Sequence, residues 1–143
     1  MYQLSINREV GVLIEYKARV IREGFAQGTA LKSGEPISFF GCINPETGVV
    51  VEKGHPLEGE SIKDRILVFP EGKGSTVGSY SLYRMKKNNT APRAIINRLC
   101  EPIVAVGAII SEIPCVDGID ISKINSGDKI IIRDGVVFVD KDE

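Results

Sequence analysis

A single histidine, three scattered cysteines and a net charge of −1 leave few chemistries open to this 143-residue chain. His55 alone gives no redundancy for a zinc site or a Ser-His-Asp triad. Cys42, Cys100 and Cys115 contain no C-x-x-C pair, and their odd number argues against a disulfide framework. Three thiolates can in principle ligate an iron–sulfur cluster, but isolated cysteines beside apolar residues are more often small buried hydrophobes. The near-neutral charge offers no attraction to nucleic acid or to an anionic membrane. No apolar run approaches the roughly 20 residues of a membrane span. Met1–Val20 lacks the basic segment and apolar core of a secretory leader, so a cytoplasmic protein is expected. Without a secretory route the sequon Asn88-Asn89-Thr90 is discounted. Repeats, low-complexity segments and linkers are also missing, and the length fits a single domain over residues 1–143. That length suffices to bury a core without disulfide or metal staples.

Strand signals dominate what is present, punctuated by glycine and proline. Val12–Val20 alternates apolar and polar residues as a half-buried strand does. Gly24–Gly34 reads as a loop or short strand, and Ile37–Ile43 is a compact apolar run ending at the turn Asn44-Pro45. Val49–Val51 is a short β-branched strand closed by Gly54-His55-Pro56, and Ile66–Phe69 is another strand. Thr76–Lys87 is the best helix candidate, although its apolar residues are spread around the cylinder. Pro92 suits the first turn of a second short helix over Arg93–Leu99. Beyond Pro102 the chain is strand-like over Ile103–Val106 and Ala108–Ile110. Asn125-Ser126-Gly127-Asp128 is a turn, and Lys129–Arg133 and Val136–Val139 form a hairpin on a type I′ Asp134-Gly135 turn. These elements predict a β-rich α/β domain with helices around residues 76–99.

The stretch Ile66–Ser79, ILVFPEGKGSTVGS, carries the chemistry. A strand stops at Pro70, a loop with Gly72, Gly74 and Gly78 follows, and two hydroxyls, Ser75 and Thr76, fall where a helix begins. Unpaired N–H groups and the helix dipole favour negative charge there. The segment is not a nucleotide P-loop. In G-x-x-x-x-G-K-[ST] the residue after lysine is Ser or Thr, but Gly74 follows Lys73, and Leu67 stands where the first glycine belongs. An anion nest fits, since glycine-rich turns aim successive N–H groups at one point. Ser75 fits a helix N-cap, worth about 1 kcal/mol, or a nucleophile or base activated by oriented donors, and spacing alone favours the cap. Lys73 either adds positive charge or is a solvated loop lysine. His55 is a candidate acid/base or a turn-orienting side chain, and Arg93 a carboxylate clamp or a surface arginine. Asp117 and Asp120 flank Gly118 in a polar loop without paired calcium ligands.

Six segments together resemble the small subunit of the aconitase X family over nearly the whole chain: ISFFGCINPETGVV, GHPLEGESI, LVFPEGKGSTVGSY, APRAIIN, PIVAVGAIISEIPCVDGID and SGDKIIIRDGVV. The resemblance implies a swivelling β/β/α domain like the mobile domain of aconitase. It implies a hydro-lyase active only with a large subunit that carries the iron–sulfur cluster and most of the substrate pocket, with no cluster on this chain alone. The implied reaction is dehydration of (R)-5-phosphomevalonate to trans-anhydromevalonate 5-phosphate in a modified mevalonate route, iron acting as Lewis acid on the leaving oxygen. Ser75 is then the proton acceptor, with Lys73, Gly74, Thr76 and Arg93 on the substrate side. Dehydration of cis-3-hydroxyproline is the alternative inside the family. Outside it stand a non-catalytic module binding phosphate or carboxylate, and a purely structural partner in which Ser75 only caps a helix.

Overall fold

β-branched runs become strands wherever the sheet can flank them on both sides. The computed structural model describes residues 12–141, so most of the leader expectation over Met1–Val20 lies outside the described residues. Its strands are β1 (Val12–Lys17), β2 (Arg19–Arg22), β3 (Ala26–Lys32), β4 (Ile66–Phe69), β5 (Ala94–Asn97), β6 (Cys115–Asp117), β7 (Lys129–Arg133) and β8 (Val136–Lys141). They form one mixed sheet in the order β1-β8-β7-β3-β4-β5-β6-β2. β3, β4, β5 and β6 run parallel, in registers such as Leu31↔Leu67, Leu67↔Ile95 and Ile96↔Val116. The flanking pairs are antiparallel. β1 and β2, at opposite ends of this order, are joined by Ala18 alone, whose N–H donates to Gly135 O at 2.8 Å. One continuous segment therefore ties both margins together, and the sheet is a nearly closed barrel with little free edge.

Every residue of β4 and β5 is buried, as expected of parallel strands covered on both faces. Ile66, Val68, Ala94 and Ile96 pack inward with Ile130, Ile132, Val137 and Val139. Leu67, Phe69 and Ile95 face a second cluster shared with Leu82, Met85, Val104 and Ala108 of two helices. Those helices are α2 (Val77–Lys87) and α3 (Pro102–Ser111); a single irregular turn, α1 (Phe39–Cys42), precedes them. α2 and α3 pack closely because Gly107 brings the backbones together: a Cβ there would lie 3.1 Å from Leu82 Cδ2 and 3.3 Å from Ser79 Cα. No described helix is long and apolar enough to cross a membrane.

Two expectations exchange places. Arg93–Leu99 contains β5, because Ala94–Asn97 is buried on both faces between β4 and β6, whereas an amphipathic helix keeps one face in water. Ile103–Ile110 lies in α3, because Glu101 accepts from Ile103 N (3.0 Å) and Val104 N (2.8 Å) and Pro102 occupies the first turn. Capping and packing on α2 outweigh the β preference of its Ile and Val residues. Gly24–Gly34 contains the seven-residue β3, and Val12–Val20 divides into β1 and β2 at Ala18. Val49 and Val50 make only isolated bridges, to Ser61 and Ile43. α2 starts one residue after the expected helix start, and the Asp134-Gly135 hairpin forms with positive φ at both residues (52° and 76°), as type I′ requires.

Candidate functional site

Parallel strands deliver their C-terminal ends to one margin of a sheet, where α/β folds bind ligands. Here β4 and β5 end side by side at Phe69 and Asn97. Pro70 O then accepts from Arg98 N and Leu99 N, both at 3.1 Å. The loop beyond Pro70 is held by Ile37, whose N–H donates to Glu71 O (3.3 Å) and whose carbonyl accepts from Lys73 N (3.1 Å). Gly72 presses against the start of α3, where a Cβ would overlap Glu101 Oε1 and Val104 Cγ2. Gly74 has φ +99°, and a Cβ on it would sit 2.5 Å from Ser38 Oγ. The two glycines are therefore fixed by different constraints, close approach at Gly72 and both close approach and handedness at Gly74.

Ser75 follows on this braced loop. It is exposed, and its hydroxyl has no hydrogen-bond partner among the described residues. Thr76 occupies the N-cap position of α2 with helical angles (φ −59°, ψ −19°) and no side-chain cap bond. Ser75 O and Thr76 O accept from Gly78 N (2.9 Å) and Ser79 N (3.1 Å) in the opening turn. None of the N–H groups of Gly74, Ser75, Thr76 and Val77 has an acceptor among the described residues. The cap role for Ser75 therefore has no bond to support it. Four consecutive free donors at a helix start form a positive field suited to an anion or an alkoxide.

Charged groups flank the loop in pairs. Lys73 Nζ lies 3.6 Å from Glu52 Oε2, and Arg98 Nη2 2.6 Å from Glu71 Oε1. Burial, reinforced by a hydrogen bond to Glu52 and by its charge, pushes the Cys42 thiol up to about 11. Ser38, half-buried against Gly74, donates to Phe40 O at 2.8 Å. Lys73, Gly74, Ser75 and Thr76 are thus brought together. Arg93 is not: it precedes the first residue of β5, about 13 Å of strand from the end that meets the Ser75 loop. There it donates to Gln27 O at 3.1 Å. Arg98, one residue past β5, occupies the site margin instead.

His55 is buried and structural in its contacts. Nδ1 accepts from Leu57 N at 3.1 Å, which leaves Nε2 to donate to Pro36 O at 3.2 Å and so to brace the segment carrying Ile37 and Ser38. Asp117 is tied to Arg19 Nε (2.9 Å) and Nη2 (2.7 Å), while Asp120 accepts from Ser122 N at 3.1 Å. The sequence missed Ser38, Glu52 and Arg98. Reading residues 94–97 as a strand ending beside Phe69 would have exposed Arg98; nothing local pairs Ser38 with Gly74.

Among the described residues no group of three His, Cys, Asp or Glu side chains is placed to hold a metal ion. Cys42 sits beside Glu52, and Cys100 faces Cys115. The three thiols do not converge on one point, so the described residues do not fit an iron–sulfur cluster. Around the Ser75 loop lies an exposed apolar surface instead, formed by Phe40 (57% exposed), Val51, Val77 and Tyr80 (69%). It continues across α3 through Val106, Ile109 (52%) and Ile110. A groove between the helices, lined by Thr76, Tyr80, Ile103 and Val106, joins the two parts. A patch of this kind marks an interaction site.

A family model described as the aconitase X swivel domain matches residues 15–139. The phosphomevalonate dehydratase small subunit of Methanosarcina mazei is 52% identical over 130 residues, 89% of this chain and 90% of the relative. That of Methanosarcina acetivorans is 56% identical over 126 residues, 88% and 84% of the two chains. The crystal structure of Thermococcus kodakaraensis aconitase X in its holo-form superposes with a TM-score of 0.87 at 50% identity, covering 88% of this chain and 98% of that one. The barrel-like sheet and its helices are therefore similar in arrangement to a solved relative.

Proposed function

The chain belongs to the aconitase X swivel-domain family, and from that premise we propose that it is the small subunit of a hydro-lyase dehydrating (R)-5-phosphomevalonate to trans-anhydromevalonate 5-phosphate. Its relatives at about half identity carry the name phosphomevalonate dehydratase small subunit, which supports the substrate. Ser75 is the proton acceptor. The observation that carries this role is its exposed hydroxyl, which like the N–H groups of Gly74–Val77 has no partner among the described residues. A serine hydroxyl is a weak base in water, and oriented donors in a closed, water-poor site make its anion accessible. Lys73, Gly74 and Thr76 lie on the substrate side; Arg93 lies too far along β5 to join them.

The large subunit occupies the apolar surface around Phe40, Val77 and Tyr80, because that surface borders the Ser75 loop and a base on an open margin needs a second wall. The iron–sulfur cluster implied by the family belongs to that partner, and the chemistry of this chain is confined to its own hydroxyl, amides and cation. The whole described segment serves as one swivelling domain against the partner. Assays of the chain, the large subunit and their mixture test the proposal. Dehydration of (R)-5-phosphomevalonate by the mixture alone is expected. Turnover of cis-3-hydroxyproline instead would replace the substrate. Phosphate binding by the isolated chain, with no turnover in the mixture, would leave an anion-binding module.

A further inference from the structure

Cys100 and Cys115 are separated by 14 residues of sequence and by 3.8 Å between their sulfurs. Both backbones are held. Cys115 begins β6 in register with Ile95, and the preceding carbonyl, Pro114 O, accepts from Ile95 N at 2.9 Å. Cys100 lies past the end of β5, where its N–H donates to Asp117 Oδ2 at 2.8 Å. The whole of α3 lies between the two residues. Cys115 is buried and Cys100 is partly open, so an external reagent meets one sulfur while the other waits behind it. A disulfide requires the sulfurs to close to about 2.05 Å, an approach of less than 2 Å from their 3.8 Å separation.

We propose that Cys100 and Cys115 are a reversible thiol–disulfide site whose oxidant is a low-molecular-weight disulfide such as oxidised glutathione. The Cys100 thiolate attacks one sulfur of the reagent, forming a mixed disulfide and expelling one thiolate. Cys115 then gives up its proton and attacks Cys100 Sγ, expelling the second thiolate. Two protein thiols and one reagent disulfide become one protein disulfide and two reagent thiols, and the electrons balance. The surroundings assign these roles. A hydrogen bond from Cys115 and the charge of Arg19 lower the Cys100 thiol, against burial and the charges of Asp117 and Glu101. Donating that bond, together with burial, raises Cys115. A lowered, accessible thiol attacks first and a raised, shielded one resolves. Cys42, 1% exposed and with its thiol pushed up to about 11, is left out. The bridge would tether the residue before Glu101, which both caps α3 and abuts Gly72 of the Ser75 loop.

The full chain, purified with reductant and then exposed to oxidised glutathione, tests this by thiol titration after acid quenching and denaturation, with peptide mapping. The titre should fall from three thiols to one, with Cys100 and Cys115 in a single bridged peptide pair and no retained glutathionyl group. Cys115→Ser should stop at one glutathionyl group on Cys100, and Cys100→Ser should react with none. Three free thiols in the treated wild-type chain would overturn the proposal, whether or not the variants fold. So would a wild-type chain that retains glutathione on Cys100 with Cys115 free.

Discussion

Replacing Gly74 by alanine adds one methyl group to the loop beside Ser75, and the structure sets its cost. The residue has φ +99°, a conformation that charges an L side chain about 1–2 kcal/mol. The new Cβ would also stand 2.5 Å from Ser38 Oγ and 3.2 Å from Ser38 Cβ. Ser38 must turn away, losing its hydrogen bond to Phe40 O, worth about 1 kcal/mol. The sum is about 2–4 kcal/mol including residual crowding against Cβ. Gly54 provides the control: its φ is +82° and nothing lies within 4 Å of the position a Cβ would take, so Gly54→Ala carries the backbone strain alone. Calorimetric melting should place Gly74→Ala below Gly54→Ala by roughly 4–8 °C, at about 4 °C per kcal/mol for a chain of this size. Adding Ser38→Ala to Gly74→Ala should recover part of the loss, so that the double-mutant cycle is non-additive by about 1 kcal/mol. Equal melting of the two alanine variants, together with an additive cycle, would refute the contact between Gly74 and Ser38 as the brace of this loop.

Asp117→Asn tests the anchor between β2 and β6. Two hydrogen bonds from Arg19 hold the Asp117 carboxyl below its usual range, with help from Cys100 N–H and against burial. A lowered folded value stabilises fully above the unfolded value near 4 and is lost as pH falls through the folded one. Urea titration should therefore show a deficit of about 1–2 kcal/mol at pH 7, after discounting the exposure of Arg19, that shrinks below about pH 4; a deficit independent of pH would contradict this. Glu101→Ala removes both acceptor bonds at the start of α3 and should cost about 1 kcal/mol in the same titration, with Glu101→Gln retaining part of it. Tyr80→Asp lies on the exposed face of α2 and should leave the melting temperature of the chain nearly unchanged. Calorimetric titration with the large subunit should show affinity reduced by about 10- to 100-fold, whereas unchanged affinity would move the partner elsewhere.

The sequence made the central hairpin, β4 and α2 legible because each carries its own local signal: Asp134-Gly135 between β-branched runs, four apolar residues before Pro70, and a helix-compatible segment after Thr76. It misassigned β5 and α3 for one shared reason. Ala94–Asn97 and Pro102–Ser111 are both apolar and both rich in Ile or Val, so periodicity cannot separate them. What separates them is tertiary: two parallel neighbours for the first, the Glu101 cap and the Gly107 approach to α2 for the second. The same error hid part of the site. Taking Pro92 as a helix start put weight on Arg93, whereas the strand runs on and leaves Arg98 at the relevant end. The GKGST loop was legible as an anion-favouring turn, but its spacing alone favoured the cap for Ser75 over the base. The hydroxyl and the N–H groups of Gly74–Val77, without partners among the described residues, support the base reading.

Ser75→Ala in the complex with the large subunit is the most direct measurement. The Ser75 hydroxyl makes no hydrogen bond within the described residues, so its removal should leave chain stability within about 0.5 kcal/mol of wild type and subunit affinity intact. Turnover of (R)-5-phosphomevalonate should fall by at least about 100-fold, the scale of losing a positioned proton acceptor. Wild-type turnover in an intact complex would contradict the account.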